Sequence, residues 1–438
     1  MKYASTRTPA LPVTFRDAVF QGLAPDGGLF QPLEEPDLRQ FFFNLERDTS
    51  FVEIAARMTA ALFPEDFPEP KAHEIAEKAF GFSPVLTEIA DGMQVLELFH
   101  GPSCAFKDFG ASFLATVMES FLEGSDKRAV ILTATSGDTG SAVAQAFHGK
   151  RNIDVVILYP SGRVSPLQEK QLTTVGGNVV ALEVAGSFDD CQRMVKEAFA
   201  DRELGRQVPL TSANSINIGR LIPQSFYFAY AFAQLRRTLS EEFIFCVPSG
   251  NYGNLTAGVL AWRWGLPVTG FIAAANRNSV VPEYLESGTF QPRPSVQTPS
   301  NAMDVGNPSN FERLCSIFQD DWSGMRSMIR GETVDDVETL ETMKRYYEEH
   351  GVFLDPHTAV GVRAAERLYH RELDSVVDVV VLSTAHPAKF SEIVAQATGA
   401  EPELPEALAR VIHRQKHSVP VGNTVEELKQ FLTSRYST

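Results

Sequence analysis

From about residue 95 the chain alternates short apolar, β-branched runs with amphipathic helical stretches, and small residues sit at the junctions. Ala129–Leu132 leads into a Gly-Ser-Thr turn and a helical Ala142–Phe147. Val155–Leu158 leads into Pro-Ser-Gly and another helix, and Val179–Val184 precedes a helical Phe188–Phe199. The pattern resumes at Phe243–Val247, Gly258–Trp264, Val268–Ala274 and Val376–Leu382. Strand, turn, helix, strand is the signature of a parallel sheet covered on both faces. The two blocks, roughly 100–205 and 240–400, predict an α/β chain with two doubly wound parallel-sheet domains and a cleft between them. In such sheets ligands bind outside the carboxyl ends of the strands, so the turns after the apolar runs are where chemistry is expected.

The rest of the sequence fits this frame. With 438 residues the chain exceeds what one hydrophobic core usually serves. Residues 1 to about 95 carry helical patterns, Ser50–Leu62 and Lys71–Phe80, separated by proline-rich turns. A net charge of −16 argues against a nucleic-acid partner or an anionic membrane surface. The four cysteines lie far apart with no metal-like spacing, and His73-Glu74 lacks the second histidine of a zinc helix, so no metal is expected. The N-terminus has no apolar h-region and no run is long enough to span a membrane, so a cytoplasmic location is expected. Gln291–Asn310, rich in Pro, Ser and Asn, reads as a long loop, a kind that is usually functional or mobile.

Five turns carry candidate chemistry. Thr133-Ala-Thr135-Ser136-Gly-Asp138-Thr139-Gly140 opens a helix after a strand, and its small residues and hydroxyls suit an anion; a plain capped turn is the alternative. Pro248-Ser-Gly250-Asn251-Tyr252-Gly253-Asn254 has the glycines and asparagines of a phosphate cradle, but neither the Walker lysine nor the dinucleotide glycine pattern. Lys107 stands between Phe106 and Phe109; desolvation there would free its amine for imine formation, while a snorkelling surface lysine has the same spacing. Asn214-Ser215-Ile-Asn217-Ile-Gly-Arg220 precedes a long helical run through Leu239 and suits a second anion, although a capped helix with a surface arginine is the commoner arrangement. Ser383-Thr384-Ala-His386-Pro-Ala-Lys389 ends the last strand; His386 reads as structural and Lys389 as surface charge.

Taken in order, YASTR, QGLAPDGGLF, LFHGPSCAFKDFG, TSGDTG, SGRVSPLQEKQ, ANSINIGR, PSGNYGNLTAG, SNAMDVGNPSN and STAHPAKF resemble the motifs of the threonine synthase family, in its longer bacterial and fungal branch. The resemblance spans essentially the whole chain. It implies fold type II of the pyridoxal-phosphate enzymes: an N-terminal domain (1–95), a smaller α/β domain (96–210) and a larger one (211–438), with the cofactor between the last two. It also implies conversion of O-phospho-L-homoserine and water to L-threonine and phosphate. By motif, Lys107 matches the Schiff-base lysine, and Gly250, Asn251, Tyr252 and Gly253 match the loop around the cofactor phosphate. Thr384 matches the hydroxyl facing the pyridine nitrogen, and Asp138 lies near the phenolic oxygen. Thr135, Ser136 and Thr139 would meet the substrate carboxylate; Ser215, Arg220 and Asn254 would surround its phosphate. A phospholyase of the same family, or a fold type II dehydratase, is the rival reading, and the oligomeric state is left open.

Overall fold

The protein is described from a computed structural model covering residues 1–90, 92–239, 242–371 and 377–437. Two sheets dominate it. The smaller has the strand order Val419–Val421, Val179–Val184, Ile153–Pro160, Ala129–Ala134, Leu210–Thr211, all parallel. The larger runs Ile329–Thr333, Gly270–Ala275, Glu242–Pro248, Val377–Ser383, Met93–Glu97, Val85–Ala90, and only the last of these pairs antiparallel. A short antiparallel pair, Tyr3–Ser5 with Phe30–Pro32, lies near the N-terminus.

Alternation along each strand explains why the apolar runs are continuous. In the smaller sheet Val130, Leu132, Val156 and Leu158 enter one core, with Met194 and Leu432 from the helices Phe188–Ala200 and Val425–Tyr436. Their neighbours Ile131, Val155 and Ile157 enter another, shared with Phe113 and Val143 from the helices Lys107–Leu122 and Asp138–Phe147. In the larger sheet Ile244, Cys246, Val379 and Val381 face the helix Pro356–Arg371, while Phe245, Val247, Val380 and Leu382 face the opposite way. Both faces are buried, so the runs stay apolar without alternation along most of their length. Gly258 lets the helix Gly253–Arg263 lie against this second face: a Cβ there would stand 2.7 Å from the Phe228 ring.

The second face of each sheet and the N-terminal helices share one core. Phe51 and Phe80, from the N-terminal segment, lie 5.2 and 6.1 Å from the ring of Phe109. Ser50 caps the helix Phe51–Leu62, where the helical pattern places its start. The N-terminal segment therefore braces the helix that begins at Lys107.

Several strands are absent from the sequence reading: Val85–Ala90, Met93–Glu97, Leu210–Thr211, Ile329–Thr333 and Val419–Val421. Leu210–Thr211 and Val419–Val421 are only two and three residues long, and these two, with Val85–Ala90 and Ile329–Thr333, sit at sheet edges with one side partly in solvent, so they show no continuous apolar run. The larger sheet takes Val85–Ala90 from the N-terminal segment, and Leu210–Thr211 forms one edge of the smaller sheet. Met93–Glu97 pairs within the larger sheet, and Val419–Val421 returns to the smaller one. The long helical run before Leu239 is also interrupted. It divides into Ile218–Leu221, a 3₁₀ turn Ile222–Gln224 containing Pro223, and Ser225–Leu235.

Candidate active site

The turn before Lys107 is stitched to the end of the strand Val377–Ser383. Leu98 N donates to Ser383 O (2.9 Å), Phe106 N to Thr384 O (2.8 Å) and His386 N to Cys104 O (3.1 Å). Cys104 adopts φ 55° to make this turn. Lys107 and Thr384, 277 positions apart in the chain, are thereby held in neighbouring turns. Lys107 is the first residue of its helix, and its side chain is 16% exposed. The Phe106 ring lies 5.7 Å from Nζ. Phe109 contributes differently from expectation: it turns into the core against Phe51, Phe82 and Tyr227. Burial lowers the proton affinity of the Lys107 amine, Asp138 opposes that, and Lys389 and Arg220 add to it.

Asp138 opens the helix Asp138–Phe147, with Oδ2 3.5 Å from Lys107 Nζ. Its other oxygen, Oδ1, takes Lys389 Nζ at 2.7 Å and Gln168 Nε2 at 2.9 Å. Burial alone would raise this carboxyl, but Lys389 and Lys107 outweigh it and hold the group well below the usual carboxylate range. Lys389 is thus not the surface charge its sequence position suggests. It is buried at 5% exposure and also donates to Ser103 O at 2.7 Å. Breaking such a buried pair from one side typically costs about 3–5 kcal/mol. His386 has the structural role expected of it: Nδ1 accepts from Ala388 N at 3.1 Å and caps a 3₁₀ turn.

Asp108, next to Lys107, receives Ser103 N at 2.9 Å and is pushed up by burial to about 6. A raised carboxyl stabilises the fold below its unfolded value, and that contribution is lost as pH rises through about 6. Asp108→Asn should therefore gain stability relative to the parent by about 3 kcal/mol between pH 4 and pH 8. Urea unfolding at the two pH values measures this; a constant difference would contradict it.

Three helices that open at the candidate turns lack a side-chain cap from their own N-cap position: Phe106, Gly137 and Tyr252 precede them. By contrast Ser50, Ser165, Ser187 and Asp335 cap theirs. The first-turn N–H groups of a helix have no intrahelical acceptor, so uncapped starts suit anions. At Asp138–Phe147 the Thr135 hydroxyl takes part of this role, accepting from Gly137 N (3.0 Å) and Gly140 N (2.9 Å), while Ser136 is exposed and Thr139 half-buried.

The cradle at Gly250–Gly253 is shaped by close approach. Tyr252 has φ 59°, and a Cβ on Gly250 would stand 2.6 Å from Met303 Cα. Asn251 bridges Ser215 Oγ (2.6 Å) and Ser309 N (2.6 Å), joining the cradle to the fourth turn and to the long loop. That loop is fastened by Asp304, which accepts from Asn276 (2.9 Å), Asn278 (3.1 Å) and Thr298 (2.7 Å). Gly250→Ala should force backbone apart at a cost of about 1–3 kcal/mol. If this turn holds the cofactor phosphate, as the family resemblance implies, cofactor binding is expected to weaken by about ten- to a hundredfold, read by titrating the apoprotein; unchanged affinity would count against the cradle.

The fourth turn differs from expectation at its helix end. Asn217 Oδ1 caps Gly219 N at 2.9 Å, so that end is already satisfied. What the turn offers an anion is Arg220, buried at 3% exposure, with its guanidinium lowered by burial to about 10 and therefore still charged near neutrality. Its Nη1 donates to Ala213 O at 2.6 Å, and its backbone and stem lie against Gly110 on the Lys107 helix. Asn254 is engaged internally, accepting from Ser249 Oγ (2.5 Å) and donating to Pro248 O (3.0 Å).

Residues 95–385 match the family described as "Pyridoxal-phosphate dependent enzyme". Residues 2–80 match "Threonine synthase N terminus" and 358–432 "Threonine synthase, C-terminal". The threonine synthase of Serratia marcescens is 43% identical over 425 residues, 96% of each chain. The chain belongs to the threonine synthase family. The Escherichia coli (strain K12) threonine synthase is likewise 43% identical, over 91% of both chains. The crystal structure of a PLP-bound threonine synthase from Brucella melitensis superimposes with a TM-score of 0.91 at 36% identity, covering 99% of each chain. This member of the threonine synthase family is accordingly a pyridoxal-phosphate-dependent lyase of fold type II.

Sequence reasoning missed Lys389 and Gln168 as partners of Asp138. It also missed a buried chain in which His357 Nδ1 meets Asp355 Oδ1 (2.6 Å) and Thr358 Oγ1 meets Ser383 Oγ (2.8 Å). No local spacing signals these contacts. The one clue was that Lys389 follows a strand-end turn already suspected of chemistry.

Proposed function

We propose that this threonine synthase takes O-phospho-L-homoserine as substrate, adds water, and releases L-threonine and inorganic phosphate. The observation carrying this reading is the joining of two anion-suited places in one site. One is the cradle Gly250, Asn251, Tyr252, Gly253; the other is the buried cation Arg220 beside Ser215. They are linked through the Asn251–Ser215 hydrogen bond at 2.6 Å.

The residues fit pyridoxal 5'-phosphate. A nearly buried amine of lowered proton affinity, an uncapped helix start behind a glycine cradle and a strand-end hydroxyl are what its aldehyde, phosphate and ring nitrogen need. Lys107 would hold its carbonyl carbon, Gly250 to Gly253 its phosphate, Thr384 its ring nitrogen and Asp138 the edge near its phenolic oxygen. When bound, it supplies an electron sink for carbanion charge.

The chain's own groups do the rest. Lys107 Nζ moves protons at substrate Cα and Cβ. Ser136 and Thr139, at the helix start shaped by Thr135, receive the substrate carboxylate. Arg220, with Ser215 and Asn254, orients the substrate phosphate and stabilises the charge that grows on it as it leaves Cγ. A hydroxyl at Thr384, unlike a carboxylate, does not hold a ring nitrogen protonated. A cytoplasmic location suits the four free cysteines, and among the described residues no helix is long and apolar enough to cross a membrane.

Supplying O-phosphohomoserine and measuring threonine and free phosphate together tests the reading. Equal yields are expected. Phosphate without threonine would replace it with a phospholyase.

A further inference from the structure

Asp138 lies between two lysines. Lys107 Nζ stands 3.5 Å from Oδ2, and Lys389 Nζ stands 2.7 Å from Oδ1. The Lys389 side chain is wholly buried, and its second acceptor is Ser103 O at 2.7 Å. Gln168, also buried, shares Oδ1 from a third element. The charged and titratable groups facing Lys107 are Asp138, Lys389 and Arg220, with Asp108 and His357 beyond them. The reaction outlined above makes no use of Lys389.

A lysine amine bonds to a carbonyl carbon only when it carries no proton. Were Asp138 alone beside Lys107, each loss of the Lys107 charge would leave a lone buried anion, and the carboxylate would favour the protonated, unreactive amine. A second cation on the other carboxylate oxygen removes both effects. The 0.8 Å difference between the two contacts (3.5 against 2.7 Å) has the sense this requires, because Asp138 holds Lys389 more closely than Lys107.

We propose that Lys389 is a positioning residue for this site: it keeps Asp138 paired whenever Lys107 is uncharged, and so leaves the Lys107 amine free for bonding. The proposal rests on Lys107 being the cofactor lysine.

The test is a pH titration of the visible absorbance of the holoenzyme. In Lys389→Gln, which keeps a donor without the charge, the midpoint is expected to rise by about one pH unit or more. Lys389→Arg, which keeps the charge, is expected to restore the parent midpoint. An unmoved or lower midpoint in Lys389→Gln overturns the proposal. If Lys389→Gln does not fold, the parent is compared with the protein carrying both Asp138→Asn and Lys389→Gln, which leaves no buried charge unpaired. Because Lys389 offsets Asp138, the doubly substituted protein is expected to keep the parent midpoint, and a midpoint lower by about one pH unit or more overturns the proposal. Borohydride reduction and peptide mapping separate the two claims. Cofactor on another lysine overturns the reading of Lys107, whereas cofactor on Lys107 with an unmoved midpoint overturns only the role of Lys389.

Discussion

Lys107→Ala is expected to lower threonine formation by about 10³-fold or more while the protein remains folded. The amine is the group that would both hold the cofactor and move protons at two substrate carbons, so its loss removes linked functions whose effects do not add. Folding should survive, because burial works against the Lys107 charge and the helix it opens is anchored by Phe109 in the core. Asp138 retains Lys389 as its partner at 2.7 Å. Circular dichroism should therefore match the parent, while borohydride should fix no cofactor at this position. Substantial remaining turnover in Lys107→Ala would place the catalytic amine elsewhere.

Arg220→Ala is the second large effect. We expect kcat/KM for O-phosphohomoserine to fall by about 10²–10³-fold, the usual loss when one donor to a developing oxyanion is removed. The guanidinium is buried, lowered only to about 10 and hence cationic at neutral pH, and Ala213 O takes just one of its five N–H donors. Arg220→Lys should recover only part of the loss, because an ammonium keeps the charge but not the planar fork. The amount of cofactor bound should be unchanged in both, which separates a phosphate-binding role from general damage. Full activity in Arg220→Ala would remove the second phosphate from the site and favour a dehydratase.

The division between what could be read early and what could not has a physical basis. Ala129–Ala134, Ile153–Pro160, Val179–Val184 and Glu242–Pro248 were legible because strands buried on both faces carry near-continuous apolar runs. Ser50 announced its helix because an N-cap needs a short oxygen at that position. Edge strands such as Val85–Ala90 gave no such signal, since one side meets solvent. At Asn217 composition left two readings open, an anion site or a capped helix, and packing shows that its own side chain fills the helix end while Arg220 is buried.

The sequence by itself determined the fold class, the turns that could carry chemistry and, through ordered motifs, the family. Tertiary structure alone decided which of those turns meet. Lys107 and Thr384 come together because Phe106 N reaches Thr384 O, and Lys389 reaches Asp138 across 251 positions of chain. Local periodicity reports which face of an element is buried, but not which distant element buries it. A lysine four residues from a surface turn and a lysine under a sheet have the same neighbours in sequence; the carboxylate beside one of them is set by packing.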